Sequence, residues 1–81
     1  MTAIAGVVFV TVPGAAPRVA ARLVREPGLT LAGGDGDSRI AAVWEAADGA
    51  ALEALSEALL GRDAEIVGVF PTFVASEEAE P

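Results

Sequence analysis

A glycine- and aspartate-rich cluster in the middle of the chain constrains its fold more than any other feature. Residues 33–38 read Gly-Gly-Asp-Gly-Asp-Ser, and the apolar run that follows them ends at Glu45. Two Gly-Asp steps between apolar segments are typical of a β-hairpin turn, because glycine adopts positive φ freely and aspartate tolerates it. We therefore expect Arg39–Glu45 to be a strand that pairs antiparallel with the residues before the turn.

Composition and the spacing of apolar residues predict four strands and two helices. Valine-rich segments favour strands, and apolar residues three and four positions apart favour helices. Gly61 is placed to cap the end of the second helix, and Gly68 with Pro71 indicates a bulge or an edge position in the last strand. The predicted order is a strand over 4–12, a helix over 16–25, strands over 29–32 and 39–45, a helix that Asp48 caps and that reaches about residue 60, and a strand over 66–74.

The order βαββαβ with short links is typical of a ferredoxin-like α+β fold. Such a fold is a four-stranded antiparallel sheet with two helices on one face. The crossover connections place the first and third strands in its centre. With 81 residues, the chain is expected to form one domain over residues 1–75, followed by an acidic, mobile tail over 76–81.

The alternation of side chains along a strand predicts which surface the helices leave uncovered. Glu45 is not expected to point into an apolar core, which places Ile40, Ala42 and Trp44 beneath the helices. The first strand is apolar on both faces, and we expect Val8, Val10 and Val12 to pack inward. The residues expected on the uncovered face are then Arg39, Ala41, Val43 and Glu45 in one strand and Ala5, Val7, Phe9 and Thr11 in the other. An exposed apolar sheet face indicates a partner.

Charge and the missing residue types exclude several classes of function. Twelve acidic residues against five arginines give a net charge of -7, which disfavours binding to nucleic acid or to an anionic membrane. The arginines of the first helix and the glutamates of the second are expected to be solvated; they are Arg18, Arg22, Arg25, Glu53 and Glu57. The N-terminal segment has neither a basic region nor the length of a membrane span, so we predict no signal peptide and no transmembrane helix.

Catalytic and metal sites are likewise not expected. The chain has no Cys, His, Lys or Tyr, so no side chain stands ready to activate a hydroxyl nucleophile. Asp35 and Asp37 match the start of a calcium-binding loop, but the glutamate at the twelfth position is missing. We therefore predict no enzyme activity, no metal and no cofactor.

Several segments together resemble the NapD family, small cytoplasmic chaperones of the catalytic subunit of the periplasmic nitrate reductase. They are the N-terminal valine strand, the Pro27-Gly28 turn, the strand 40–44 followed by Glu45-Ala46-Ala47-Asp48, the Gly68-Val69 strand and the acidic tail. The resemblance implies a cytoplasmic protein that binds the twin-arginine signal peptide of the reductase on the open sheet face. Binding would delay export until the molybdenum cofactor is in place. Glu45 and the strand before it match the family best.

The residues themselves support the same mechanism, because an acidic domain with an apolar face complements a peptide that has a basic and an apolar segment. The predicted peptide-binding residues are Val7, Phe9, Thr11, Arg39, Ala41, Val43 and Glu45. One alternative is an amino-acid-sensing domain similar to the effector domains of leucine-responsive regulators. In it, Pro13-Gly14 and the Asp35-Gly36-Asp37 turn would line a site at a dimer interface. A second alternative is a structural homodimer in which another copy covers the open face.

Overall fold

The computed structural model describes residues 2–77 and has the predicted order of elements. The elements are β1 (Thr2–Thr11), α1 (Ala16–Leu23), β2 (Leu29–Gly34), β3 (Arg39–Ala46), α2 (Gly49–Arg62) and β4 (Ile66–Glu77). The strands form one sheet in the order β2-β3-β1-β4, and every neighbouring pair is antiparallel. The predicted ferredoxin-like α+β fold, with β1 and β3 in the centre, is confirmed.

All six elements differ from the predicted bounds by one to three residues at one end or both, and the differences in α1, α2 and β4 affect earlier predictions. α1 stops at Leu23, whereas α2 continues through Gly61, and the N–H of Asp63 donates to the carbonyl of Leu59 at 2.9 Å. Gly61 therefore does not cap this helix. β4 continues to Glu77, so the first two residues of the predicted tail belong to the strand, and the rest of that tail, 78–81, lies outside the described residues.

The hairpin turn and the start of α2 form as predicted, each around one aspartate. Oδ1 of Asp35 accepts hydrogen bonds from the backbone N–H groups of Asp37, Ser38 and Arg39 at 2.9 to 3.0 Å, and Gly36 has a φ of 76°. These bonds, that from Asp37 foremost, lower the pKa of Asp35. At the start of α2, the side chain of Asp48 accepts a hydrogen bond from the N–H of Ala51 at 2.8 Å. Each carboxylate thus accepts hydrogen bonds from backbone N–H groups of the turn or of the first turn of the helix.

The core lies between the sheet and the two helices, and Trp44 is at its centre. Trp44 is fully buried as predicted, its ring centroid lies 5.9 Å from that of Phe9, and its Nε1–H donates to the carbonyl of Pro27 at 3.4 Å. Ile40 and Ala42 are buried beside it. The helices contribute Ala16, Val19, Leu23, Leu52 and Leu59.

The prediction for β1 is wrong, because its two faces are reversed. Val7, Phe9 and Thr11, together with Ala5, are buried under the helices, while Val8 and Val10 lie half-buried on the other face. The pairing with β3 explains this orientation, since Phe9 lies opposite Ile40 and Val7 opposite Ala42. Paired residues share a face, so the core side of β3 selects the core side of β1. Thr11 tolerates burial because its hydroxyl donates to the Val12 carbonyl at 2.8 Å.

Candidate functional site

The sheet face opposite the helices carries a continuous apolar surface across its two central strands and β4. The register places Gly6 between Val43 and Phe73, and Val8 between Ala41 and Phe70. We call this surface the open face and define it by Ile4, Gly6, Val8, Val10, Ala41, Val43, Phe70 and Phe73. An exposed apolar surface of this kind on a small domain is typical of an interaction site.

Two phenylalanines of β4 dominate the open face. The side chains of Phe70 and Phe73 are 55% and 53% exposed. Their rings lie against glycines, since a Cβ added at Gly6 would collide with the ring of Phe73 and one at Gly68 with the ring of Phe70. The two glycines therefore leave room for aromatic rings to lie close to the sheet, which gives the open face a broad aromatic patch.

A β-bulge puts both rings on the same face. Phe70 and Phe73 are an odd number of positions apart and would point to opposite faces of a regular strand. The register shifts where Phe73 pairs with Gly6 and Pro71 pairs with Val7, which leaves Thr72 without a partner residue. One extra residue reverses the alternation. The bulge and the edge position predicted from Gly68 and Pro71 are confirmed.

Four of the seven predicted site residues lie on the open side of the sheet. Ala41 and Val43 are in the middle of the face, and Arg39 and Glu45 are exposed at the two ends of β3. The other three, Val7, Phe9 and Thr11, are buried on the helix side of the sheet and contribute nothing to the open face. The aromatic pair on β4 was not predicted, although a bulge in a strand containing two phenylalanines was a signal for it.

The open side carries one basic and one acidic residue, which lie near opposite ends of β3. Arg39 and Glu45 are six residues apart on one strand, which corresponds to about 20 Å at roughly 3.3 Å per residue. The N–H of Glu45 donates to the carbonyl of Gly28 at 2.8 Å, so the position of this residue is held by the backbone. An apolar segment lying between the two charges would meet an acid at one end and a base at the other.

The structure also brings together the two turns that the amino-acid-sensing alternative requires. The N–H of Gly14 donates to Oδ1 of Asp37 at 2.8 Å, and the N–H of Ala16 donates to the Asp37 carbonyl at 2.9 Å. The carboxylate of Asp37 therefore already accepts a hydrogen bond from the Pro13-Gly14 turn. A ligand site at a dimer interface here stays a prediction.

The arginines of α1 join that helix to the loop before β4, and are not merely solvated. Nε of Arg18 donates to Glu65 at 2.8 Å, while Arg22 donates to Asp63 at 2.9 Å and to Glu65 at 2.9 Å. The hydrogen bond from Arg18, followed by that from Arg22, lowers the pKa of Glu65 to about 2. This charged cluster lies at the helix layer, away from the open face.

The low pKa of Glu65 predicts a loss of stability in acid. A carboxyl that ionises more readily when folded stabilises the native state at pH values above its unfolded pKa, near 4.5, and the effect disappears as the pH falls toward 2. We expect Glu65→Gln to be less stable than the wild type near pH 7 and to match it near pH 2. Urea unfolding across this pH range measures the difference. A constant difference at every pH would contradict the prediction.

The remaining features of the described residues exclude few further kinds of function. Within 2–77, no group of three or more His, Cys, Asp or Glu side chains is placed to hold a metal ion. None of the helices described is long and apolar enough to cross a membrane.

No family model matches the sequence, and neither the curated proteins nor the solved structures contain a match. Function must therefore be inferred from the open face itself.

Proposed function

We propose that this protein is a non-enzymatic cytoplasmic chaperone that binds the twin-arginine signal peptide of a periplasmic nitrate reductase precursor. Binding would restrain export until the molybdenum cofactor has been inserted. The observation that carries the proposal is the apolar open face with Glu45 at one end. The resemblance to the NapD family supports the choice of client.

The apolar part of the peptide would supply most of the affinity. Phe70 and Phe73 are each about half exposed, and Val43 lies between them and β2 on the same face. Covering apolar surface is worth roughly 25 cal/mol per Å² before the cost of ordering the peptide is subtracted. The aromatic pair is therefore the expected centre of the binding energy, because large aromatic side chains dominate such surfaces.

The two arginines of the signal peptide would orient the peptide on the open face and increase its rate of association. A net charge of -7 attracts a basic peptide over long range. On the open side, Glu45 is an exposed acid two residues after Val43 on β3, and Arg39 repels cations from the other end of that strand. We therefore place the peptide arginines at Glu45, with the apolar segment covering first the row that contains Val43 and Phe73 and then the row that contains Ala41 and Phe70, toward Arg39.

Replacing Phe73 by aspartate should abolish binding of this peptide. The change puts a carboxylate in the middle of the apolar contact, and it leaves the core untouched because Phe73 lies on the open face. We expect a loss of affinity of at least about 100-fold, as for a central aromatic contact residue. Isothermal titration with a synthetic twin-arginine signal peptide measures it.

Val24→Asp is the matched control for this measurement. Val24 is an exposed apolar residue at the end of α1, so the substitution makes the same change of charge on another surface. It should bind the peptide like the wild type. Unchanged affinity in Phe73→Asp, or an equal loss in both variants, would contradict binding on the open face. In the same experiment, Glu45→Gln should weaken only peptides that retain both arginines.

A further inference from the structure

A second apolar surface lies on the helix side of the sheet, in a groove between α2 and β4. The groove has a volume of about 750 Å³. Its floor is formed by buried residues of the central strands, including Val7 and Trp44, and its walls by apolar side chains of α2 and β4. We call it the α2–β4 groove and define its walls by Leu52, Leu60, Val69, Pro71 and Val74.

The groove is lined by apolar side chains that the fold leaves uncovered. Leu60 on the α2 wall is 40% exposed and Val74 on the β4 wall is 58% exposed. α2 packs against the core through Leu52 and Leu59. Leu60 lies on another side of the helix, which is apolar but is not covered by the rest of the domain. A helix that is apolar on more sides than its own core requires is typical of one that contacts a further element.

The edge of β4 favours an occupant that contributes side chains rather than a paired strand. β4 is at the edge of the sheet, where another strand could add by backbone hydrogen bonds. Pro71 has no N–H to donate, and the bulge at Thr72 interrupts the regular alternation of donors and acceptors. A helix needs no such pairing, since it binds by placing an apolar stripe in a groove.

Two glutamates of the groove favour a basic occupant. Glu53 and Glu57 line it from α2 and are one helical turn apart, a spacing at which like charges repel. Among the residues that the structure describes, the four ion pairs include neither of them. Cationic side chains one turn apart on a bound helix would relieve this repulsion.

We propose that the α2–β4 groove is a second binding site, which takes a basic amphipathic helix of a partner protein. An apolar stripe of that helix packs between Leu60 and Val74, and its arginines or lysines face Glu53 and Glu57. The sheet separates the groove from the open face, so both surfaces bind at the same time. This site is additional to the proposed signal-peptide site and does not depend on it.

The test uses a synthetic helical peptide of about 16 residues, with leucines on one side and two flanking arginines one turn apart. Titration should detect binding to the wild type. Leu60→Asp and Glu57→Arg should each lower the affinity about tenfold at low salt. The matched control for Leu60→Asp is Val24→Asp on α1, which makes the same change of charge and should stay within about twofold.

Exchanging the charges of the groove and of the peptide tests whether the peptide binds in the groove. Glu53→Arg with Glu57→Arg should bind a peptide carrying glutamates in place of the arginines more tightly than the wild type does. The proposal is overturned if the wild type does not bind the first peptide, or if Leu60→Asp binds it as well as Val24→Asp. Glu45→Arg, on the open side, tests whether the peptide binds there instead, and the proposal is also overturned if this variant lowers the affinity more than Glu57→Arg does. Circular dichroism of each variant confirms that all of them are folded.

Discussion

Phe9→Asp is expected to abolish folding, whereas Val8→Asp, one residue away, is expected to leave the protein folded. Phe9 is 0% exposed and packs against Trp44, so the variant loses its aromatic contacts and buries a carboxylate without a partner. Removing a buried phenylalanine costs about 3 to 5 kcal/mol, and the unpaired charge adds several more. A chain of this size has a free energy of unfolding of roughly 4 to 12 kcal/mol.

Val8 is on the open face, between Ala41 and Phe70. An aspartate there remains in contact with water, and we expect a loss of about 1 to 2 kcal/mol, mainly from strand propensity and lost contacts. Far-UV circular dichroism and urea unfolding of the two variants measure the contrast. A folded Phe9→Asp protein beside an unfolded Val8→Asp protein would mean that β1 faces the other way. Val8→Asp should also impair binding of the signal peptide, because it places a charge in the apolar contact.

Trp44→Ala is expected to be the most damaging truncation to alanine in the described part of the chain. Trp44 is fully buried, contacts the ring of Phe9, and donates a hydrogen bond to the Pro27 carbonyl. Truncation leaves a large cavity and removes the hydrogen bond to the Pro27 carbonyl, at a cost of about 3 to 5 kcal/mol. Thermal unfolding followed by circular dichroism should show a midpoint lower by more than about 12 °C, at roughly 4 to 8 °C per kcal/mol.

Val43→Ala is the matched control, because Val43 neighbours Trp44 on the same strand and is exposed on the open face. We expect its cost to stay below about 1 kcal/mol. Trp44→Phe should fall between the two, since it keeps an aromatic ring but loses the hydrogen bond. Equal destabilisation by Trp44→Ala and Val43→Ala would contradict the assignment of Trp44 to the core. Reduced peptide affinity in Val43→Ala with normal stability would link the open face to binding.

The sequence alone was sufficient for features that depend on neighbouring residues. Three such features are the Asp35 turn, the Asp48 cap and the orientation of β3. Each follows from one polar side chain and from residues only a few positions away in the sequence. Glu45 cannot be buried without a partner, and this single requirement assigns alternate residues of β3 to core and surface. The order of elements then leads to the fold.

Only the tertiary structure decided which residues of β1 and β4 form the candidate site. Both faces of β1 are apolar, so no residue within it distinguishes inside from outside, and the register with β3 makes the choice. In β4, the bulge at Thr72 brings Phe73 to the same side as Phe70 against simple alternation. The sequence by itself therefore determined the fold and the side of β3 that faces away from the helices. Long-range strand pairing determined the apolar surface around it.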